Sequence, residues 1–243
     1  MTAFAIPVSA QVAEVKEKPP MYTYVSNWVI PRPRWADMEK ADTTNDKVFE
    51  KALASGMLIG YGRDSTLVHQ ADDGAHDTWW SSMSMAGLLN TLDEIYKSGS
   101  AATPILSSAT KHWDSVYVSR FYNWQSGPCH GGYTHGSSYK LKADARDDAV
   151  ESLSKNLIVP LLEKLVADGT LHEYEVDVQA IHTDLPGTFW IIYIPTKAEG
   201  IDKVNAALVE AMKANPLGGP AFSSMIDFTP HRDSPARTEA TYK

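Results

Sequence analysis

Histidine stands two residues before aspartate in two similar hexapeptides, TKHWDS at 110–115 and TPHRDS at 229–234. In an extended segment, side chains at i and i+2 point the same way. Asp114 could therefore orient His112, and Asp233 could orient His231, for proton transfer or on a metal ion. The competing reading is structural: each His-x-Asp caps and ends the last strand of one of two similar halves. His69 and His182 form a second pair, each ending a strand pattern on the same face as Tyr61 or Tyr174. They could face a barrel interior or pack as rim histidines. A third group, Cys129, His130 and His135, lies in the glycine-rich stretch QSGPCHGGYTHGSSYK, 125–140. A thiolate with two imidazoles suits a transition metal, but this spacing matches no metal pattern. The stretch is expected to be a mobile surface loop whose glycines suit a lid. No metal and no cofactor is expected at any of these groups.

Composition excludes several classes. One cysteine allows no internal disulfide and no multi-cysteine metal site. A net charge of −8 argues against a nucleic-acid backbone as partner, because that needs clustered Lys and Arg. There is no run of about 18 apolar residues, so no membrane span is expected. The Gly-x-Ser-x-Gly elbow, the P-loop, Gly-x-Gly-x-x-Gly and His-Glu-x-x-His are all absent, which removes the hydrolase, nucleotide and zincin readings.

The elements that must position these residues recur. Tyr24-Val25-Ser26 reappears as Tyr117-Val118-Ser119, SGMLIGY at 55–61 as DGTLHEY at 168–174, and TWW at 78–80 as TFW at 188–190. The two hexapeptides close the series in the same order, which predicts a duplicated unit. Each copy reads strand, helix, two strands, helix, strand. The first helix is expected over 35–55, ended by Gly56, and its counterpart is ended by Gly169. Pro160 should kink that counterpart by freeing the carbonyl of Asn156. In TLHEYEVDVQAIH, 170–182, Tyr174, Val176 and Val178 share one face while Glu173, Glu175 and Asp177 share the other, so one face must be wet or enclose a polar space. TFWIIYI, 188–194, is apolar on both faces and should be a central strand.

The order is the split ferredoxin-like unit, β-α-β-β-α-β. Two helices on one face of each sheet leave the other face bare, so the two sheets are expected to cover each other in an α+β barrel. The expected division is 1–20 as an export-signal remnant or disordered tail, 21–115 as the first repeat, 116–235 as the second with a loop insertion at 125–143, and 236–243 as a tail. The apolar run ending at Val8-Ser9-Ala10 is like the end of a secretory signal, so the protein is expected to be secreted or periplasmic.

Tandem halves of this kind, with aromatic first and third strands, resemble the dimeric α/β-barrel superfamily in its fused two-repeat form, over about residues 21–235. Exported bacterial proteins with a Tyr-Val-x-x-Trp-like first strand are the nearest in pattern. The superfamily includes cofactor-independent monooxygenases, haem enzymes and small-molecule isomerases, so the resemblance implies a fold more firmly than an activity. A haem reading would need a proximal histidine on a helix or sheet wall of the second half and a distal arginine. The second-half helices contain no histidine. The leading expectation is binding of a small, partly apolar molecule between the sheets, lined by Trp28, Trp80, Trp190, Tyr61, Tyr174, His69 and His182. A histidine would act as general base in monooxygenase-like or isomerase-like chemistry. The alternatives are a non-enzymatic structural or interaction protein with a filled barrel, and a haem- or metal-binding barrel. Fused repeats remove the need for a homodimer to close one barrel, while further self-association stays open.

Overall fold

The computed structural model describes residues 15–41, 46–69 and 74–243. Much of the export-signal reading, residues 1–14, lies outside the described residues. The first half runs β1 (Met21–Val29), α1 (Trp35–Ala41), α2 (Asp46–Ser55), β2 (Gly60–Thr66), β3 (His76–Ser82), α3 (Met85–Ser98) and β4 (Lys111–Trp124). The second runs β5 (Gly127–Leu141), α4 (Ala149–Leu153), α5 (Val159–Ala167), β6 (Leu171–Gln179), β7 (Thr188–Pro195), α6 (Glu199–Ala214), α7 (Gly218–Met225) and β8 (Ile226–Tyr242).

The strands close into one antiparallel barrel in the order β1-β3-β2-β8-β5-β7-β6-β4. Within it, β4-β1-β3-β2 and β8-β5-β7-β6 have the same ferredoxin-like order. The long last strands join the halves. Strand β4 pairs with β1 through Lys111–Ser119 and with β6 through Tyr117–Trp124, while β8 pairs with β5 and, over Ala236–Tyr242, with β2. Helices cover the outside and the two sheets enclose a common interior, as the sequence pattern requires. Strand β7 is central, between β5 and β6. Glu173, Glu175 and Asp177 turn into the barrel, and Tyr174 and Val176 join the apolar core beneath the second-half helices.

Several expected boundaries move. The stretch 125–143 is no loop insertion: Gly127–Leu141 is β5, the first strand of the second half, hydrogen-bonded along both edges to β7 and β8. Glycine and serine give it poor intrinsic strand preference, but pairing on both sides overrides preference. Close approach needs some of those glycines, since a Cβ on Gly132 would lie 2.7 Å from Cys129 Sγ. Tyr117-Val118-Ser119 accordingly continues β4 and does not open the second half, and the proposed division at 115/116 falls inside that strand. The expected tail, 236–243, is mostly barrel strand. The His-x-Asp pairs sit within β4 and β8, so they do not terminate strands.

Gly56 and Gly169 end the helices before β2 and β6 with φ of +78° each, the left-handed conformation that glycine adopts without strain. Around Pro160 the irregularity takes the form of a π-turn, Ser154–Ile158, after which α5 restarts with the proline in its first turn.

Candidate functional site

A cavity of about 230 Å³ lies between the outer face of the first-half sheet and its helices. Alternation on β1 points Tyr24, Ser26 and Trp28 toward it. Antiparallel pairing places Asp114 opposite Ser26 and His112 opposite Trp28. His112 stacks on Trp28 with ring centroids 3.7 Å apart. Its Nε2 lies 3.0 Å from Ser26 Oγ and 3.2 Å from Asp114 Oδ1. The second is a close approach without a hydrogen bond, since Oδ1 has no hydrogen-bond partner. Tyr24 stacks on Trp80 at 4.3 Å, and burial together with the adjacent Asp114 carboxylate raises the pKa of its hydroxyl. Met38, Phe49, Leu92 and Ile95 form apolar walls. A cavity with apolar walls and an imidazole–carboxylate pair on one side can take a proton from a bound molecule.

The second half repeats the polar constellation and fills the space over it. Ser137 pairs with Asp233 in register and donates from Oγ to its Oδ1 at 2.6 Å. Tyr139 stacks on His231 at 4.5 Å, as Trp28 does on His112. His231 Nδ1 is 2.8 Å from the Ser138 carbonyl, which makes that nitrogen the protonated donor, and its Nε2 is 3.7 Å from Asp233 Oδ2. His135 stands where Tyr24 stands in the first half, stacked on Tyr193 and 3.4 Å from Asp233 Oδ1. Burial lowers its pKa, opposed by the Asp233 charge. Phe189, Phe222 and Phe228 close around Tyr139, so aromatic side chains occupy the region that is open in the first half.

No protein-family model matches the chain, and no curated protein matches it. Solved structures do. A candidate monooxygenase from Lactobacillus acidophilus superposes with a TM-score of 0.63 at 9% identity, over 93% of this chain and 97% of that one. A candidate monooxygenase from Fusobacterium nucleatum gives 0.60 at 6%, over 93% and 95%. An anthrone oxidase-like protein gives 0.54 at 10%, over 93% and 94%. The chain has the dimeric α/β-barrel fold.

In this α/β barrel the other predicted site residues do not converge. His69 and His182 lie in exposed connections beyond β2 and β6, with the His69 ring tilted against Trp35 at 4.5 Å. Tyr61 faces outward against Phe49. Tyr174 is buried and donates to Glu163 Oε1 at 2.7 Å. Trp80 and Trp28 line the first-half cavity, whereas Trp190 lies across the sheet from Asp177 and against Tyr117. Cys129 is buried and His130 exposed, paired with Glu239 at 2.8 Å, so the Cys-His group spreads along β5. Among the described residues no His, Cys, Asp or Glu group is arranged to hold a metal ion. Haem does not fit the residues present either. Of the second-half wall histidines, His231 and His135 are engaged by Ser138 and Asp233 and covered by aromatic rings, and buried His172 packs against Tyr242 inside the closed end of the barrel; the first-half cavity falls below the roughly 300–1,000 Å³ of drug-sized sites.

Sequence reading missed Ser26 and Tyr24. Their signal was the outward alternation Tyr24, Ser26, Trp28, which acquires meaning only once β1 is paired with β4.

The barrel interior is the polar space that β6 demands. It contains a cavity of about 150 Å³. Thr23 Oγ1 donates to Glu175 Oε2 at 3.1 Å, and Thr134 Oγ1 donates to Asp64 Oδ1 at 2.9 Å. Burial pushes Asp64 up to about 6 and Glu175 up to about 7, against the opposing hydroxyl bonds. Burial and then neighbouring carboxylates push Glu173 and Asp177 well above the usual range.

Proposed function

We propose that the protein binds a small aromatic molecule carrying an acidic hydroxyl in the first-half cavity, and takes its proton on the Asp114–His112 pair. The observation that carries this reading is the His112–Asp114 pair on the cavity wall, half-buried, with His112 Nε2 3.2 Å from Asp114 Oδ1. Trp28 and the edge of the Tyr24–Trp80 stack supply aromatic wall for a flat ring, Ser26 fixes His112, and the apolar walls favour a ligand the size of one or two rings. A phenolate held in this way is the electron-rich form that reacts with dioxygen, so cofactor-independent oxygenation is the reaction class we assign. The monooxygenase and oxidase-like names of the structural neighbours support that choice at the level of fold alone. We also read the two halves as copies of one unit, of which only the first kept an open cavity; the matched pairs Ser26/Asp114 and Ser137/Asp233 support this.

The test uses 4-nitrophenol, whose phenolate absorbs separately from its neutral form. Bound to the unmodified protein near the ligand's own pKa, it should be mostly phenolate. Asp114→Asn should keep the fluorescence quenching that reports binding but lose about tenfold in the phenolate-to-phenol ratio, as expected when a positioned proton acceptor is removed. Equal spectra in the two proteins would sink the assignment. We further propose export, resting on residues 1–20 alone. Recovery of the protein from periplasm or medium, shortened to begin at Gln11, is the expected result, and full-length protein confined to the cytoplasm would refute it.

A further inference from the structure

The barrel interior is a second, separate site. Asp64, Glu173 and Glu175 line one part of its cavity, while Trp79, Ile192 and Ile194 line another. Among the described residues no Lys, Arg or His lines it. Burying carboxylates without a counter-charge is costly, and natural interiors normally pair them. Here the pairing is incomplete. Glu175 hydrogen-bonds to Glu173 and Asp177 only through protons that the carboxyls share, and beyond these no donor reaches Oε1 of Glu173, 2% exposed, or either oxygen of fully buried Asp177. At one end Ser234 is exposed and Gly136 and Thr66 are half-buried, which gives a mouth. The other end is closed by Tyr242, 2% exposed.

We infer that the barrel interior binds a small organic cation, an ammonium group on an apolar body about the size of one aromatic ring. The ammonium sits against Glu173, Glu175 and Asp64, and the body lies along Trp79, Ile192 and Ile194. An inorganic ion fits less well, because no carboxylate group here is arranged as a metal-ligand set. The size follows from the volume of about 150 Å³, which in a wholly apolar cavity takes up benzene; here carboxyls form part of the wall, where the ammonium sits. Trp79 and Tyr117 add aromatic faces that attract a cation.

The titratable groups facing this space are Asp64 from β2, Asp77 from β3, Glu173, Glu175 and Asp177 from β6, Tyr117 from β4 and Tyr242 from β8. His172 lies beside Tyr242 at the closed end, its pKa lowered by burial. Carboxyls that keep their protons to higher pH must release them when the cation binds. Affinity should therefore rise with pH, by roughly tenfold per unit for each proton released, until the carboxyls are ionised in the free protein.

Calorimetry with benzylammonium chloride tests this, with benzyl alcohol as the neutral isostere and magnesium chloride as the ion-only control. Benzylammonium should bind at least about tenfold more tightly at pH 8 than at pH 5, and release protons to the buffer. Benzyl alcohol and Mg²⁺ should give no saturable heat. Glu173→Gln, which keeps the shape but cannot ionise against the ammonium, should weaken binding about tenfold or more. Asp114→Asn should leave it unchanged, so failure here is distinguishable from failure of the phenol-binding reading. Equal binding of benzyl alcohol, Mg²⁺ heat that disappears in Glu173→Gln, or no benzylammonium heat at pH 8 would each overturn the inference.

Discussion

At pH 8, Glu175→Gln is expected to melt about 6–12 °C above the unmodified protein, and at pH 4 the two should melt together. Glu175 is buried in the barrel, and its carboxyl is pushed up to about 7 from an ordinary value of 4.5. A raised carboxyl contributes stability that is fully present below the unfolded pKa, near 4.5, and is lost as pH rises through the folded value. Between about pH 4 and 7 the unfolded chain ionises this group while the folded chain resists. The difference corresponds to about 3 kcal/mol at the plateau. Glutamine has the same shape, still accepts the hydrogen bond that Thr23 donates, and carries no charge at any pH. His76, depressed to about 4 by burial and by the charge of His69, acts in the opposite sense as pH falls from 6.5. It is present in both proteins and cancels in the comparison. Calorimetric scans of both proteins at pH 4, 6 and 8 measure the effect; equal melting temperatures at pH 8 would mean that Glu175 is already compensated.

That charged interior was legible in the sequence because β6 alternates strictly. Glu173, Glu175 and Asp177 share a face by period two, and no tertiary knowledge is needed to see that the face must be enclosed or wet. Strand β5 carried no such signal, since its glycines and serines hide the period and its strand character comes from two neighbours distant in sequence. The TWW and TFW match shows the cost of reading register from local similarity. Trp80 faces outward, stacked on Tyr24, whereas Trp190 lies against Asp177 and Tyr117 on the inner side. Tyr193, three positions further on, is the residue that pairs with Tyr174 as Trp80 pairs with Tyr61. An odd shift exchanges the two faces of a strand. The candidate site was half legible for the same reason: His112 and Asp114 are neighbours in sequence, but Ser26 and Tyr24 reach them only across a strand pair.

One correspondence between the halves was invisible in the sequence and sets the position of a cavity wall. Gly87, near the start of α3, lies where a Cβ would stand 2.1 Å from Ser82 Oγ and 2.7 Å from the Met57 carbonyl oxygen. Gly200, near the start of α6, has Pro195 Cβ at 2.7 Å and the Thr170 carbonyl oxygen at 3.3 Å in the matching places. Gly87→Ala is expected to lower the melting temperature by about 4–8 °C, a loss of about 2 kcal/mol. Two effects compete. Alanine is preferred over glycine in a helix by about 1 kcal/mol, which alone would stabilise. Against it, the added methyl must displace Ser82, whose hydroxyl donates to the Met57 carbonyl at 2.7 Å, or lift α3 away from the sheet. Overpacking costs about 1–3 kcal/mol and the broken hydrogen bond about 1 more, so the clash wins. Gly200→Ala, with looser contacts, should lose about half as much. Because α3 carries Leu92 and Ile95 over the Asp114 cavity, Gly87→Ala should also weaken 4-nitrophenol binding, while Gly200→Ala should not. A Gly87→Ala protein as stable as the original would show that α3 can shift without cost, and the cavity wall would then be adjustable rather than fixed by that contact.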